Sequence, residues 1–151
     1  MSILDAGSAV GFAILGAATG DPCGYSVSGA GDVNNDGVDD VIVGCIVGDP
    51  VVGGISRDNA GVVYVIFGRI YSTGAASYSN IDLLPIKSAG SPLGFAILGA
   101  ATNDWTGTYV SAVGDVNGDS VADVILGARL ADPTVSGIAR IDAGIAYVVF
   151  A

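Results

Sequence analysis

Two nine-residue segments rich in aspartate are the candidates for a functional site in this sequence. Residues 32–40 read DVNNDGVDD, and residues 115–123 read DVNGDSVAD. Positions 1, 3, 5 and 9 of each segment carry oxygen-bearing side chains, and alternate positions of a tight loop turn inward. Several carboxylates, with a backbone carbonyl near position 7, are the hard oxygen ligands that Ca²⁺ prefers. The predicted ligands are the side chains of Asp32, Asn34, Asp36 and Asp40 with the Val38 carbonyl, and those of Asp115, Asn117, Asp119 and Asp123 with the Val121 carbonyl.

We call residues 32–40 the first Asp loop and residues 115–123 the second Asp loop. An EF-hand would place an acidic ligand at position 12 and continue into a helix. Position 12 is Val43 in one copy and Leu126 in the other, each inside an apolar run that is typical of a strand. Each loop is therefore predicted to join two strands of a hairpin. A turn held only by its own Asn and Asp hydrogen bonds is the alternative interpretation.

The second Asp loop is predicted to be the weaker calcium site. Gly37 at position 6 of the first loop permits a sharp turn, but the second loop has Ser120 at this position. If the turn requires a positive φ, serine costs about 1 kcal/mol there.

Both Asp loops belong to a repeat with a spacing of 83 residues. Residues 11–68 align with residues 94–151 without a gap, and 34 of these 58 positions are identical. A repeat period longer than about 20 residues indicates a solenoid, a propeller or an array. Four short strands per copy, separated by glycine, favour propeller blades. The predicted strands are Phe12–Leu15, Tyr25–Ser28, Val41–Val43 and Val62–Phe67, then Phe95–Leu98, Tyr109–Ala112, Val124–Leu126 and Ile145–Phe150.

Composition argues against several classes of function. The net charge is −10, every acidic residue is Asp, and seven of the fifteen lie in the two Asp loops, which indicates a site. With only five Lys and Arg residues the chain cannot neutralise many phosphates, so nucleic acid is not an expected partner. Histidine is absent, which removes the usual general base. The apolar runs are shorter than the roughly 20 residues of a membrane span, so no membrane insertion is expected.

The two cysteines are predicted to be neighbours. Cys23 precedes the first strand of the Asp-loop hairpin and Cys45 ends the second, so the hairpin brings them side by side. A disulfide in an oxidising compartment and a pair of buried free thiols both fit this placement. The second copy has Thr106 and Ala128 at these positions, so the fold does not require cysteine there.

The residues around the Asp loops resemble the FG-GAP repeats of integrin α-subunit β-propellers and their bacterial relatives. The matching motifs are Gly24–Val27, Gly31–Asn34, Asp39–Gly44 and Gly61–Gly68, then Gly107, Gly114–Asn117, Asp123–Gly127 and Gly144–Phe150. The chain departs from the family at the namesake dipeptides, where Cys23-Gly24 and Thr106-Gly107 replace aromatic-Gly, and Gly44-Cys45-Ile46 replaces Gly-Ala-Pro. The resemblance implies one Ca²⁺ per blade, in hairpins on one face of a propeller. Ligand sites are implied on the opposite face, with Val47–Asn59 and Leu130–Asp142 as the expected ligand-facing loops.

The blade order of the family implies an offset between the copies and the blades. Residues 1–20 would hold an N-terminal strand that completes the last blade of a neighbouring chain. Residues 21–103 would form the first blade, and residues 104–151 a second blade without its outer strand. The expected fold class is all-β, with blades of four antiparallel strands, two blades per chain, and a ring closed by oligomerisation. A homo-trimer or a homo-tetramer would give six or eight blades; an excised fragment of a longer parent is the alternative.

The expected function is a calcium-stabilised β-propeller module for recognition or adhesion of a protein or glycan ligand, or a self-assembling scaffold, and not an enzyme. A lectin-like propeller is an alternative, because Trp105, Tyr109 and Tyr25 could stack on a sugar or else pack between blades. A hydrolase that uses Asp residues is a further alternative, although no serine-nucleophile motif accompanies them. We expect an extracellular or cell-surface parent, and residues 1–18 do not read as a signal peptide.

Overall fold

The computed structural model describes residues 11–70, 78–87 and 90–151. The described residues form an all-β structure of small sheets, as the sequence predicts, with one 3₁₀ turn at Pro85–Lys87. The strands are β1 Ile14–Leu15, β2 Cys23–Gly31, β3 Asp40–Cys45, β4 Val51–Val52, β5 Ile55–Ser56, β6 Val62–Ile66, β7 Ile81–Asp82, β8 Gly94–Leu98, β9 Thr106–Gly114, β10 Asp123–Ala128, β11 Thr134–Val135, β12 Ile138–Ala139 and β13 Ile145–Val149.

Sheet 1 contains four antiparallel strands in the order β2-β3-β6-β8, which is also their order in the chain. Its central strand β6 reads VVYVI, and all five of its residues are buried. A continuous apolar run of this kind is typical of a strand that is covered on both faces. All four strands of sheet 1 lie between residues 21 and 103, the range predicted for the first blade.

Sheet 2 contains β9, β10 and β13, again antiparallel and in chain order from β9. Its pairing repeats that of sheet 1, since Val124 pairs with Val149 just as Val41 pairs with Ile66. Within the described residues β13 pairs only with β10, whereas the equivalent strand β6 lies between β3 and β8. As a result, β13 is half-exposed although it is as apolar as β6 and repeats its Tyr-Val pair.

The predicted N-terminal strand is present as β1, and it lies beside β7, in the segment that connects the third and fourth strands of sheet 1. Ile14 and Leu15 pair in parallel with Ile81 and Asp82. The Ile81 amide donates to the Ala13 carbonyl at 2.9 Å, which secures this pairing. Sequence reasoning did not identify this partner. The predicted pairing of the N-terminal strand with another chain stays a prediction, and residues 1–10 lie outside the described residues.

Two buried clusters hold the sheets. One lies between sheet 1 and sheet 2, and the other lies between the opposite face of sheet 1 and the segment around β7. In the second cluster Ile81, Leu83 and Ile86 cover Val43 and Tyr64. Sheet 1 thus packs against a buried cluster on each face, although Val27 at its β2 edge stays exposed.

The predicted neighbourhood of the two cysteines is confirmed, and they form a disulfide. Cys23 and Cys45 are register partners at the open end of the β2–β3 hairpin. This disulfide indicates an oxidising compartment, typically an extracellular one. In the ranges that the structure describes, no helix is long and apolar enough to cross a membrane.

Candidate metal centre

The first Asp loop joins β2 to β3, and its own side chains hold its shape. The Asp32 carboxylate accepts hydrogen bonds from the amides of Asp36 at 3.0 Å and Gly37 at 2.8 Å. The Asn34 side-chain oxygen accepts from the Asp36 amide at 3.1 Å, and the Asp36 carboxylate accepts from the Val38 amide at 2.9 Å. The side chains at positions 1, 3 and 5 therefore turn toward the inside of the loop, as the spacing predicts.

Asp40, at position 9, lies at the base of the loop and is buried. One of its carboxylate oxygens accepts from the Val33 amide at 2.8 Å, and the other accepts from the Gly68 amide at 2.7 Å. Burial raises the pKa of the Asp40 carboxyl, these two hydrogen bonds oppose the rise, and the charges of Asp36 and Asp32 add to it. The Asp40 side chain thus ties the loop to the end of β6, a contact that the sequence pattern did not reveal.

The second Asp loop has the same arrangement between β9 and β10. Asp115 accepts from the amides of Ser120 at 2.8 Å, Gly118 at 2.6 Å and Asp119 at 3.1 Å, and these bonds lower its pKa. Buried Asp123 accepts from the amides of Val116 and Ala151, as Asp40 does from Val33 and Gly68. The remaining bonds also recur: the Asn117 oxygen accepts from the Asp119 amide, and Asp119 accepts from the Val121 amide.

The chemistry of both loops fits a hard cation, and their observed geometry fits it in part. The side chains predicted as ligands supply only oxygen donors, and a carboxylate oxygen that accepts one amide hydrogen keeps a second lone pair. The charges of Asp32 and Asp36 both act on Asp40, so the negative potentials of the three carboxylates overlap. Within the described residues, however, no three carboxylates are gathered closely enough to hold a metal ion as they stand. For Asp40 to bind a cation, its side chain would have to rearrange away from the Val33 and Gly68 amides that it now contacts.

Ser120 adopts the strained backbone conformation that its place in the second Asp loop predicts. Its φ is 72°, and the equivalent Gly37 has a φ of 86°. Both lie in the left-handed region, which is unfavourable for a residue with a Cβ atom.

Ser120→Gly is expected to stabilise the protein by about 1 kcal/mol. The left-handed serine costs about 1–2 kcal/mol, and this exceeds the greater unfolded-state entropy of glycine, about 0.4–1 kcal/mol. Urea unfolding of both proteins measures the difference. Gly37→Ser is the matched control. A Cβ on Gly37 would meet no atom within 4 Å, so only the left-handed backbone conformation should cost free energy, and a similar destabilisation is expected. An unchanged midpoint in both variants would show that this backbone position is not strained.

The predicted ligand-facing segments each contain an exposed two-stranded β-ribbon. β4 pairs with β5 in the first copy, and β11 pairs with β12 in the second. Both ribbons expose apolar side chains at equivalent positions, since Ile55 is 70% exposed and Ile138 is 68% exposed. The sequence analysis assigned these loops to the ligand-binding face by resemblance only. An isolated isoleucine after a glycine in each loop, at Ile55 and Ile138, could have indicated an exposed apolar turn.

The aromatic residues of the lectin alternative have different surroundings. Arg129 lies over the Trp105 ring, with its guanidinium carbon 5.1 Å from the ring centre, as in a cation–π pair. Tyr25 and Tyr109 are both largely exposed. The pairing of Trp105 with Arg129 was not predicted, because the two residues are 24 positions apart and no local pattern links them.

Comparison with protein-family models and with curated proteins found no match to this chain. The resemblance to FG-GAP repeats therefore depends on the motifs themselves, and membership of that family stays a prediction.

Proposed function

We propose that this chain is a calcium-stabilised β-propeller module, used for recognition or adhesion or as an assembling scaffold. The observation that carries the proposal is the equivalence of the two Asp loops. Both join the first two strands of a sheet, both turn three oxygen-bearing side chains inward, and both attach their ninth residue to the end of a later strand. A turn needed only for its own hydrogen bonds would not require three acidic residues at the same spacing in both copies.

The propeller part of the proposal is supported by the sheets. Four antiparallel strands in chain order are the usual content of one blade, and sheet 2 repeats the first three of them. The two sheets also pack face to face around a shared cluster, as adjacent blades do.

Calcium would bind at the oxygen atoms of the Asp loops and would offset their mutual repulsion. The side chains of Asp32, Asn34 and Asp36 and the Val38 carbonyl would hold the ion, with Asp40 turning toward it. The second site would use the equivalent residues of the second Asp loop. Its role is structural in this proposal, because a bound cation stabilises only the folded loop.

A recognition role is supported by the two exposed ribbons. Val52 and Ile55 of the first copy and the equivalent Val135 and Ile138 of the second are exposed apolar residues. Exposed apolar residues clustered in loops mark surfaces that bind other molecules. These residues favour a protein ligand over a sugar, and an extracellular or cell-surface parent agrees with the disulfide.

Isothermal titration with CaCl₂ tests the proposal. Two sites per chain are expected, the first tighter than the second because of Ser120. Asp36→Asn should abolish the tighter site while keeping the hydrogen bond from the Val38 amide, because an amide oxygen also accepts. Asp39→Asn is the matched control: it removes the same charge from an exposed residue of the same loop that is not a predicted ligand. No calcium binding by the wild-type chain, or equal losses in both variants, would refute the calcium site.

A further inference from the structure

Sheet 1 and sheet 2 pack against each other through unlike faces. We name the two faces of each sheet after one residue they contain. The Tyr face holds Val41, Val43, Tyr64 and Ile66 in sheet 1, and Val124, Leu126, Tyr147 and Val149 in sheet 2. The Gly face holds Ile42, Gly44, Val63 and Val65 in sheet 1, and Ile125, Gly127, Ala146 and Val148 in sheet 2. The Tyr face of sheet 2 packs on the Gly face of sheet 1, where Leu126 shares a buried cluster with Ile42 and Val63.

This packing leaves the Gly face of sheet 2 uncovered within the described residues. Val148 on this face is 41% exposed, whereas the equivalent Val65 in sheet 1 is fully buried. On the Tyr face the exposed residue belongs to sheet 1 and the covered one to sheet 2. There Val27 of sheet 1 is 64% exposed, whereas its equivalent Val110 in sheet 2 packs against the cluster between the sheets. Each uncovered surface is therefore equivalent to one that is covered elsewhere in the same chain.

Strand β1 lies on the Tyr face of sheet 1 in the place that β8 takes on the Tyr face of sheet 2. Ile14 packs against the cluster that contains Val43 and Tyr64. Ile97, which is 83 residues later and belongs to β8, packs against the cluster that contains Leu126. Since β8 is the fourth strand of sheet 1, β1 occupies the position of a fourth strand in a sheet that would precede sheet 1.

We propose that the sheet preceding sheet 1 is sheet 2 of another copy of this chain. The Gly face of sheet 2 in one copy packs on the part of the Tyr face of sheet 1 that stays exposed in the next copy, around Val27, beside the segment around β7 that covers Val43 and Tyr64. β1 of the second copy pairs with β13 of the first. The proposal rests on the propeller part of the proposed function and does not depend on calcium. It is a head-to-tail contact, and with two sheets per copy a propeller of six or eight blades would close with three or four copies.

The register of this pairing follows from sheet 1. Val62 pairs with Leu98 and Val63 with Ile97. The same register between copies places Leu15 opposite the partner's Ile145 and Ile14 opposite the partner's Ala146.

A pair of glycines makes the contact between the sheets specific. A Cβ atom on Gly44 would lie 2.2 Å from the carbonyl oxygen of Gly107, so sheet 2 approaches sheet 1 closely at this point. The equivalent residues in the proposed contact are Gly127 of one copy and Gly24 of the next. Both have open space in the single chain: a Cβ on Gly127 would meet its nearest atom, in Tyr109, at 3.8 Å, and one on Gly24 would meet none within 4 Å.

Two tyrosines distinguish the proposed contact from the one within the chain. Ser26 donates to the Gly107 carbonyl at 2.7 Å, and the position equivalent to Ser26 in sheet 2 is Tyr109. Thr108 is buried in the contact within the chain, and the equivalent position in the proposed contact between copies holds Tyr25. Tyr25 and Tyr109 are 58% and 72% exposed in the single chain. Their burial between copies would remove much apolar surface from water, since tyrosine is a frequent anchor of interfaces.

Light scattering coupled to gel filtration, on the full chain in calcium, tests the proposal. The wild-type chain is expected to elute as a trimer or a tetramer. Gly127→Ala is expected to give a folded monomer, because its Cβ fits within one chain and collides with the next. Gly29→Ala is the matched control, because it also fits in open space and the second copy already has Ala112 there. A wild-type monomer of 14.8 kDa would overturn the proposal, as would an unchanged oligomer of Gly127→Ala. A monomer that still binds calcium would remove this inference and leave the calcium site intact.

A disulfide trap tests the strand register independently. Gly99 donates to Gly61, and Phe67 donates to Leu93, so the pair Val62–Leu98 between them lacks mutual hydrogen bonds and its Cα atoms lie close together. The equivalent pair between copies is Ile145 and Leu15. Leu15→Cys combined with Ile145→Cys should give cross-linked species up to one closed trimer or tetramer on a non-reducing gel. Each single variant should not form this series. A disulfide formed within one chain, or no cross-link, would overturn the register.

Discussion

Removing calcium with EGTA is expected to lower the thermal unfolding midpoint of the wild-type chain by about 5–10 °C. A ligand at a hundredfold excess over its dissociation constant stabilises the folded state by about 2.7 kcal/mol. For a chain of this length, 1 kcal/mol corresponds to about 2–4 °C. The physical reason lies in the first Asp loop, where the charges of Asp32 and Asp36 act on buried Asp40. A bound cation removes that repulsion, and differential scanning calorimetry with and without EGTA measures the effect.

The double variant Asp36→Asn with Asp119→Asn provides the test of mechanism. Both loops would keep their turns, since the asparagine oxygen still accepts from the Val38 and Val121 amides. The midpoint of this variant should hardly respond to EGTA. The single variant Asp39→Asn should respond as the wild type does. If EGTA leaves the wild-type midpoint unchanged in a chain shown to be folded, the Asp loops are self-contained turns, which is the alternative that the sequence left open.

Replacing both cysteines, as Cys23→Ala with Cys45→Ala, is expected to destabilise the protein by about 3 kcal/mol. The disulfide closes a loop with a sequence separation of 22. A cross-link of this length lowers the conformational entropy of the unfolded chain and so raises its free energy by about 3 kcal/mol. The loss should appear as a lower urea midpoint. The calcium sites should be retained, because the disulfide lies at the opposite end of the hairpin from the first Asp loop.

The second copy offers a matched experiment for the disulfide. Thr106 and Ala128 are register partners in sheet 2, just as Cys23 and Cys45 are in sheet 1. Thr106→Cys with Ala128→Cys should form a second disulfide and raise stability, and it also removes a buried hydroxyl that has no partner in the described residues. If removal of the native disulfide costs nothing under non-reducing conditions, the unfolded chain must already be restricted in the β2–β3 hairpin.

Much of the fold could be predicted because it is local and repeated. β3 and β6 are short β-branched runs between glycines, and the Asp loop between β2 and β3 is too short for anything but a hairpin. The hairpin then determines that Cys23 meets Cys45. The outer strand β8 was predicted from the blade order of the family, and its antiparallel pairing with β6 agrees.

The site could be predicted in part. The inward-turned side chains of Asp32, Asn34 and Asp36 follow from their alternate spacing, and the positive φ of Ser120 follows from alignment with Gly37. The hydrogen bond between Asp40 and the Gly68 amide could not be predicted, because it joins residues 28 positions apart through the packing of β6 against β3.

We could infer the repeat from its constant spacing, and we could infer the all-β class, the hairpins and the two Asp loops from residues that lie close together in the chain. Which sheet faces are covered became known only from the packing of the sheets. Sheet 1 and sheet 2 belong to copies that share 34 of 58 aligned residues, yet β6 is buried and β13 is half-exposed. The difference arises from neighbours, since β6 lies between two strands and two layers, whereas β13 has one strand and one layer beside it. The difference in neighbouring layers also explains why Gly44 lies against Gly107 whereas the equivalent Gly127 has open space beside it. The sequence around Gly44 and Gly127 does not distinguish these two environments.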